Sequence, residues 1–105
     1  MAKTQKIAEK MELEKTLQAR CLRYLRDKNI VFFKIISASP AGIPDLCVLP
    51  KNSRPIFCEF KRKNGKLTAL QSAQIARIEG TNSARVFVVK NYENFIEIIE
   101  NLSDL

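Results

Sequence analysis

Residues 42–61 read Gly-Ile-Pro-Asp-Leu-Cys-Val-Leu-Pro-Lys-Asn-Ser-Arg-Pro-Ile-Phe-Cys-Glu-Phe-Lys. Two apolar runs, 44–49 and 56–61, flank a segment at 50–55 that is rich in proline, asparagine and serine. Aliphatic β-branched and aromatic residues favour strands, whereas proline, asparagine and serine favour turns. The stretch therefore predicts two neighbouring strands joined as an antiparallel hairpin.

Helices and strands alternate on both sides of this hairpin. Before the hairpin, the patterns predict a helix over 5–28, a strand over 30–36 and a loop over 37–42. After it, they predict a helix that begins at a Thr68 capping box and runs to about Glu79, with Gly80 as its stop. A strand over 84–89 and a last helix capped by Asn91 follow. The resulting order is α-β-β-β-α-β-α. A chain of 105 residues has room for one domain, so we expect a single α/β domain over residues 1–105.

The charge of the chain is concentrated in its middle. The whole chain has 18 basic and 11 acidic residues, a net charge of +7. Residues 29–90 hold ten of the basic residues and only three acids: Asp45, Glu59 and Glu79. A basic surface favours an anionic partner, nucleic acid first, and an acid in such a surface repels phosphate. The few acids there are therefore candidates for metal binding.

Several classes of site are excluded by the composition. The chain has no histidine, which excludes catalytic triads that need one, a histidine base and histidine-ligated zinc. The three cysteines, Cys21, Cys47 and Cys58, form no Cys-x-x-Cys pair and are expected to be reduced, buried thiols. The longest purely apolar run, 30–33, is too short to span a bilayer. We expect a soluble protein of the cytoplasm.

Charged side chains converge on one face of the predicted hairpin. Side chains alternate along a strand, so Glu59 and Lys61 share a face, and Asp45 begins the neighbouring strand. Oxygen donors without histidine or thiolate suit Mg²⁺ or Mn²⁺, which can assist phosphodiester hydrolysis. Glu14 falls within the apolar stripe of the first helix, so it lies at the edge of that stripe or points into a shared pocket.

These motifs resemble those of the VRR-NUC family within the PD-(D/E)XK nuclease superfamily. The matching segments are Gly-Ile-Pro-Asp at 42–45, Cys-Glu-Phe-Lys at 58–61 and Leu-Thr-Ala-Leu-Gln at 67–71. The resemblance extends from about Glu14 to the last helix. It implies a restriction-endonuclease-like αβββαβ core, with a mixed four-stranded sheet flanked by helices.

The resemblance also implies a role for each matching residue. Asp45 and Glu59 would bind Mg²⁺ or Mn²⁺ together with the backbone carbonyl of Phe60, and Lys61 would be the catalytic lysine. Glu14 would complete the acidic site, directly or through a water. The glutamine of the third motif, Gln71, would lie beside the catalytic centre.

The expected substrate is DNA. Basic residues near the motifs, namely Lys34, Arg62, Lys63 and Lys66, are expected to contact phosphates. Small stand-alone members of the resembled family, mostly viral or prophage-encoded, are homodimers that cut four-way junctions. The resemblance therefore implies a homodimeric Holliday-junction resolvase that acts in the cytoplasm of a host cell.

Simpler interpretations remain open at this point. Asp45 could only close a turn, Glu59 and Lys61 could be an exposed strand pair, Glu14 could be a solvated helix acid, and Gln71 could only cap its helix. The basic run 61–63 could be a solvated surface. Aromatic residues in the apolar segments are expected in the core: Tyr24, Phe32, Phe33 and Phe57. The alternative functions are a non-catalytic nucleic-acid-binding module on a nuclease fold and a protein-interaction domain.

Overall fold

Over the part of the chain that the structure describes, three helices and four strands follow one another in the predicted order. The computed structural model describes the backbone of residues 2–102 and the side chains of residues 13–102. Its elements are α1 (Ala2–Asp27), β1 (Val31–Lys34), β2 (Leu46–Leu49), β3 (Ile56–Phe60), α2 (Ala69–Gly80), β4 (Arg85–Val89) and α3 (Tyr92–Glu100). The α/β class with a mixed four-stranded sheet is confirmed.

The sheet has the spatial order β1-β2-β3-β4. The first three strands form antiparallel pairs, and α2 carries the chain over to β4, which is parallel to β3. The register pairs Leu46 with Cys58 across the predicted hairpin. Asp45 and Glu59 are the next residues beyond that pair, so they lie at the same end of the sheet.

One face of the sheet is covered by α1 and α3. The buried core between them consists of Cys21, Leu22, Leu25, Leu46, Val48, Ile56, Cys58, Phe60, Val89, Phe95 and Leu102. Tyr24 packs edge-on against Phe95 and Tyr92, with ring centres 6.3 and 6.4 Å apart. Burying these apolar side chains fixes α1 and α3 on the sheet.

The opposite face is only partly covered, because α2 packs against β4 at one side. Val31 and Phe33 on the edge strand remain 54% and 60% exposed. The prediction that Phe33 belongs to the core is therefore wrong, whereas Tyr24 and Phe32 do pack against the core. Phe57, on the central strand β3, is half-buried.

Some boundaries differ from the sequence-based prediction. The helix α2 includes Gly80 as its last residue, so this glycine is not the stop. The chain turns through Thr81 and Asn82, whose N–H groups donate to the carbonyls of Ile78 and Glu79. Asn82 takes the left-handed conformation with φ 59°, which asparagine tolerates. The strand β2 begins at Leu46, two residues later than predicted.

The three cysteines are free thiols. Cys21 and Cys58 are fully buried, and burial raises the pKa of each thiol to about 12. Both therefore serve as small apolar core residues. Cys47 is only half-buried, because no helix covers its face of the strand. The prediction of a buried thiol is therefore wrong for Cys47. Among the described residues, no helix is both long and apolar enough to cross a membrane.

Candidate active site

Asp45 connects β2 to the end of β3. Its Oδ2 atom accepts a hydrogen bond of 2.9 Å from the backbone N–H of Phe60. This contact joins residues 15 positions apart, so Asp45 does more than close the turn after Pro44. The bond holds one carboxylate oxygen of Asp45 in place.

Glu59 is the buried acid of the site. Only 3% of its surface is exposed, so it is not part of an exposed strand pair. Its Oε1 atom accepts a hydrogen bond of 2.9 Å from the side-chain amide of Gln71. Burial and the neighbouring Asp45 carboxyl raise the pKa of Glu59 to about 7, while the positive charge of Lys61 acts in the opposite direction. Glu59 is thus a carboxyl group held close to a second acid and to a cation.

Gln71 has two roles at once. Its Oε1 atom accepts from the Thr68 N–H at 2.9 Å, and its own N–H donates to Thr68 Oγ1 at 3.1 Å, which completes the predicted capping box. The remaining part of the amide, Nε2, donates to Glu59. Helix capping therefore fixes the glutamine that orients Glu59.

Glu14 reaches the same end of the sheet from α1. Its Oε1 atom accepts from the backbone N–H of Arg62 at 3.2 Å, across 48 positions of sequence. Glu14 also lines a cavity of about 170 Å³ with Asp45, Phe60 and two further residues of α1. It is half-buried and is not a freely solvated helix acid.

The three carboxylates share one arrangement. In each of Glu14, Asp45 and Glu59, one oxygen accepts a hydrogen bond from a protein N–H group. Such bonds orient a carboxylate. The fold thus aims these side chains before any ligand binds.

The donor atoms fit a hard divalent cation. Asp45 and Glu59 supply two neighbouring carboxyl groups. Burial and the proximity of Asp45 raise the pKa of Glu59 to about 7, and a bound cation would relieve that crowding of negative charge. Mg²⁺ is commonly held by one or two carboxylates and completes its shell with water. Within residues 13–102, no group of three acidic or thiol side chains is arranged to hold a metal ion together. The carboxylate pair and the Phe60 carbonyl are therefore the candidate direct donors, and Glu14 is a candidate to act through a water.

The predicted basic residues lie around this end of the sheet. Lys61 and Arg62 directly follow β3 and are half-buried, whereas Lys63 and Lys66 are exposed in the loop before α2. Lys34 is exposed at the end of β1, opposite Leu46. The acidic site thus has several basic residues near it at this end of the sheet.

Two residues of the cavity escaped the sequence-based prediction. Lys15 and Gln18 line it beside Glu14. Glu14 and Gln18 are four positions apart, a spacing that places two side chains on the same face of a helix. That spacing was the available signal for Gln18.

Comparison with known proteins agrees with this geometry. The family model of the VRR-NUC domain matches residues 5–91. A solved structure described as a VRR_NUC domain is 25% identical in sequence with a TM-score of 0.72, and the match covers 84% of this chain and 95% of that chain. A search of curated proteins finds no match. The chain therefore belongs to the VRR-NUC domain family and is a member of a nuclease family.

Proposed function

We propose that the protein is an Mg²⁺- or Mn²⁺-dependent endodeoxyribonuclease that cuts branched DNA as a homodimer. The observation that carries this proposal is the meeting of Asp45, Glu59 and Lys61 at one end of the sheet, with Gln71 bonded to Glu59. Family membership supports a nuclease, and the donor set supports a hard cation.

The residues of the site would divide the work as follows. Asp45, Glu59 and the Phe60 carbonyl would hold the cation, and Glu14 would act on it through a water. The bound ion would supply charge that polarises the scissile phosphodiester and lowers the pKa of a water. The Lys61 ammonium, close enough to Glu59 to affect its pKa, would orient the attacking water or stabilise charge that develops on the phosphate.

The residues around the site would position the DNA. Lys34, Arg62, Lys63 and Lys66 lie near the same end of the sheet and would contact backbone phosphates without reading the bases. Such contacts release counterions, so binding should weaken as salt rises. DNA binding that weakens as salt rises would argue against the alternative of a protein-interaction domain.

The dimer is proposed from family resemblance and from a surface of this chain. Val31 and Phe33 on the edge strand, with Leu49 paired to Val31, form an exposed apolar area that we call the open sheet patch. A second copy could cover it with the same patch through a two-fold axis. Two symmetric sites would suit the paired cuts that a four-way junction requires. Three free thiols, two of them fully buried, suit a reducing compartment, so we expect the enzyme to act in the cytoplasm.

Cleavage of a four-way junction with Mg²⁺ tests this proposal. We expect the wild type to cut the junction faster than a linear duplex of the same sequence. Asp45→Asn removes a charge from the donor set and Lys61→Ala removes the ammonium, so each should lower the cleavage rate by at least about 100-fold. The matched controls are Asp27→Asn, at the exposed end of α1, and Lys51→Ala, in the exposed turn after β2.

The outcomes separate the alternatives. A wild type that binds DNA but cuts nothing with Mg²⁺ or Mn²⁺ would leave a non-catalytic binding module on a nuclease fold. Normal cleavage by Asp45→Asn would overturn the site assignment instead. Equal rates on the junction and the duplex would contradict the preference for branched DNA.

A further inference from the structure

A second cavity lies beside the candidate active site, on the other side of α1. It has a volume of about 300 Å³ and lies between α1, the segment after β3 and the beginning of α3. Its lining includes four basic side chains, Arg20, Arg62, Lys63 and Lys90, and a single acid, Glu93. We call this cavity the basic pocket. Its charge suits an anion.

The basic pocket is built from fixed parts of the fold. The guanidinium of Arg20 lies 4.1 Å from the centre of the Tyr92 ring, a cation–π contact that positions it. Lys90 directly follows β4, and the Lys61 N–H donates to the Val89 carbonyl at 3.0 Å, which joins the ends of the two strands. The cations of the pocket therefore extend from three elements that the fold holds together.

The pocket is coupled to the active site through Arg62. The Arg62 backbone N–H donates to Glu14, which lines the first cavity, while the residue itself lines the second. Neighbouring residues of α1 divide in the same way, with Glu14 and Gln18 on one cavity and Leu17 on the other. The two cavities are thus adjacent.

A DNA strand offers a ligand with a row of neighbouring negative charges. Each strand of a duplex carries one negative charge per about 3.4 Å of helix axis. A strand whose scissile phosphate lies at Asp45 and Glu59 carries further phosphates on both sides of it, and the basic pocket is adjacent to that site. We infer that the basic pocket binds a backbone phosphodiester of the cleaved strand that flanks the scissile phosphate, with Arg20 and Lys90 as contacts that the motifs do not indicate.

This inference rests on the proposed nuclease function, and it assigns the pocket a positioning role. Flanking contacts hold the strand in register and carry no sequence information. A guanidinium can donate two parallel hydrogen bonds to a phosphate, whereas an ammonium acts as a point charge. Arg20 should therefore contribute more than Lys90.

Equilibrium binding tests the pocket separately from cleavage. A fluorescently labelled four-way junction is titrated with protein in EDTA, which prevents cutting, over a series of salt concentrations. Arg20→Gln and Lys90→Gln should each weaken binding about three- to tenfold, Arg20→Gln by the larger factor, and each should lower the slope of log K against log salt by about 1. The controls are Arg23→Gln, on the same helix but outside the pocket lining, and Lys51→Gln, in the distant turn.

Junctions with one neutral methylphosphonate identify the phosphate. At one flanking position, the substitution should weaken binding of the wild type but should not weaken binding of the Arg20→Gln/Lys90→Gln double variant any further. With Mg²⁺, the pocket variants should show a raised KM and a kcat within about threefold of the wild type, because their contact is made equally in the ground and transition states. Thermal unfolding checks that each variant is folded.

Two results would overturn the inference. One is pocket variants that bind like the Arg23→Gln and Lys51→Gln controls. The other is a double variant whose affinity falls as much as that of the wild type when a methylphosphonate is placed at any position. If the wild type binds and cuts the junction while either result is found, only the pocket assignment fails. If the wild type binds no DNA, the nuclease proposal fails with it.

Discussion

At the scale of single residues, Glu59 shows how the fold prepares a site at a cost in stability. The side chain is 3% exposed, and one of its oxygens is held by Gln71. Burial and the Asp45 carboxyl raise the pKa of Glu59 to about 7 from its ordinary value of 4.5. A raised pKa means that the folded protein favours the neutral form of this acid.

This raised pKa predicts how stability changes with pH in the metal-free protein. The contribution of Glu59 to the free energy of unfolding is fully present below about pH 4.5, and it is lost as pH rises through about 7. Glu59→Gln keeps an acceptor for Gln71 but cannot ionise. In EDTA, its free energy of unfolding should match the wild type near pH 4 and exceed it by up to about 3 kcal/mol at pH 8.

Urea unfolding at both pH values measures this difference. Glu97→Gln, on the exposed side of α3, is the matched control and should show no such change with pH. Addition of Mg²⁺ at pH 8 should narrow the gap, because a ligand that binds only the folded wild type stabilises it. A gap of equal size at pH 4 and pH 8 would contradict the role of Glu59 ionisation.

At the scale of elements, Gly42 holds the loop before β2 against the beginning of α2. Its φ is +89°, which favours glycine, and a Cβ atom there would lie 2.8 Å from the backbone carbon and oxygen of Leu70. Leu70 directly precedes Gln71. The Gly-Ile-Pro-Asp motif is therefore packed against α2, the helix whose Gln71 donates a hydrogen bond to Glu59. This close approach explains why the motif begins with glycine.

Replacing Gly42 or Gly80 by alanine should change the free energy of unfolding in opposite directions. Gly42→Ala should lower the free energy of unfolding by about 2 kcal/mol or more, because it adds strain and a backbone clash. Gly80→Ala should raise it by about 0.5–1 kcal/mol, because Gly80 is helical and has nothing within 4 Å of an added Cβ.

Denaturant unfolding of the two alanine variants checks this prediction. Gly42→Ala should also slow cleavage, because a shifted α2 would move Gln71 away from Glu59. A Gly42→Ala variant as stable as Gly80→Ala would show that the loop can move away from Leu70 without cost.

At the scale of the whole molecule, the sheet is covered unequally. One face carries α1 and α3 over the core, while the other carries α2 beside β4. The open sheet patch is left at the edge strand, with Phe33 60% exposed. An exposed apolar area on an edge strand is a feature that proteins usually cover, often with another chain.

Replacement of Phe33 tests the proposed dimer. Phe33→Asp places a charge in the open sheet patch, so it should yield a monomer of 12.0 kDa at concentrations where the wild type sediments with twice that mass. The separated monomer should still bind DNA but should nick a junction rather than cut it in pairs. Ile36→Asp is the control, because Ile36 is 88% exposed beyond the end of β1. A monomeric wild type, or a dimeric Phe33→Asp variant, would contradict the patch as the interface.

Local pattern was sufficient for much of this protein. The hairpin over 42–61 predicted neighbouring strands, and strand alternation placed Glu59 and Lys61 on one face. The Thr68 capping box predicted where α2 begins. Each of these features depends on residues near one another in sequence, so the spacing of side chains along a strand or a helix turn is enough to indicate it.

Tertiary packing decided the rest. The bond between Glu14 and the Arg62 N–H joins residues 48 positions apart, and no local pattern specifies it. The exposure of Phe33 depends on where α2 lies over the sheet, although its strand resembles a buried one. The basic pocket likewise joins Arg20 of α1 to Lys90 after β4. Sequence spacing thus determined the elements and the motifs of the candidate site, while long-range burial of apolar surface decided which distant side chains meet.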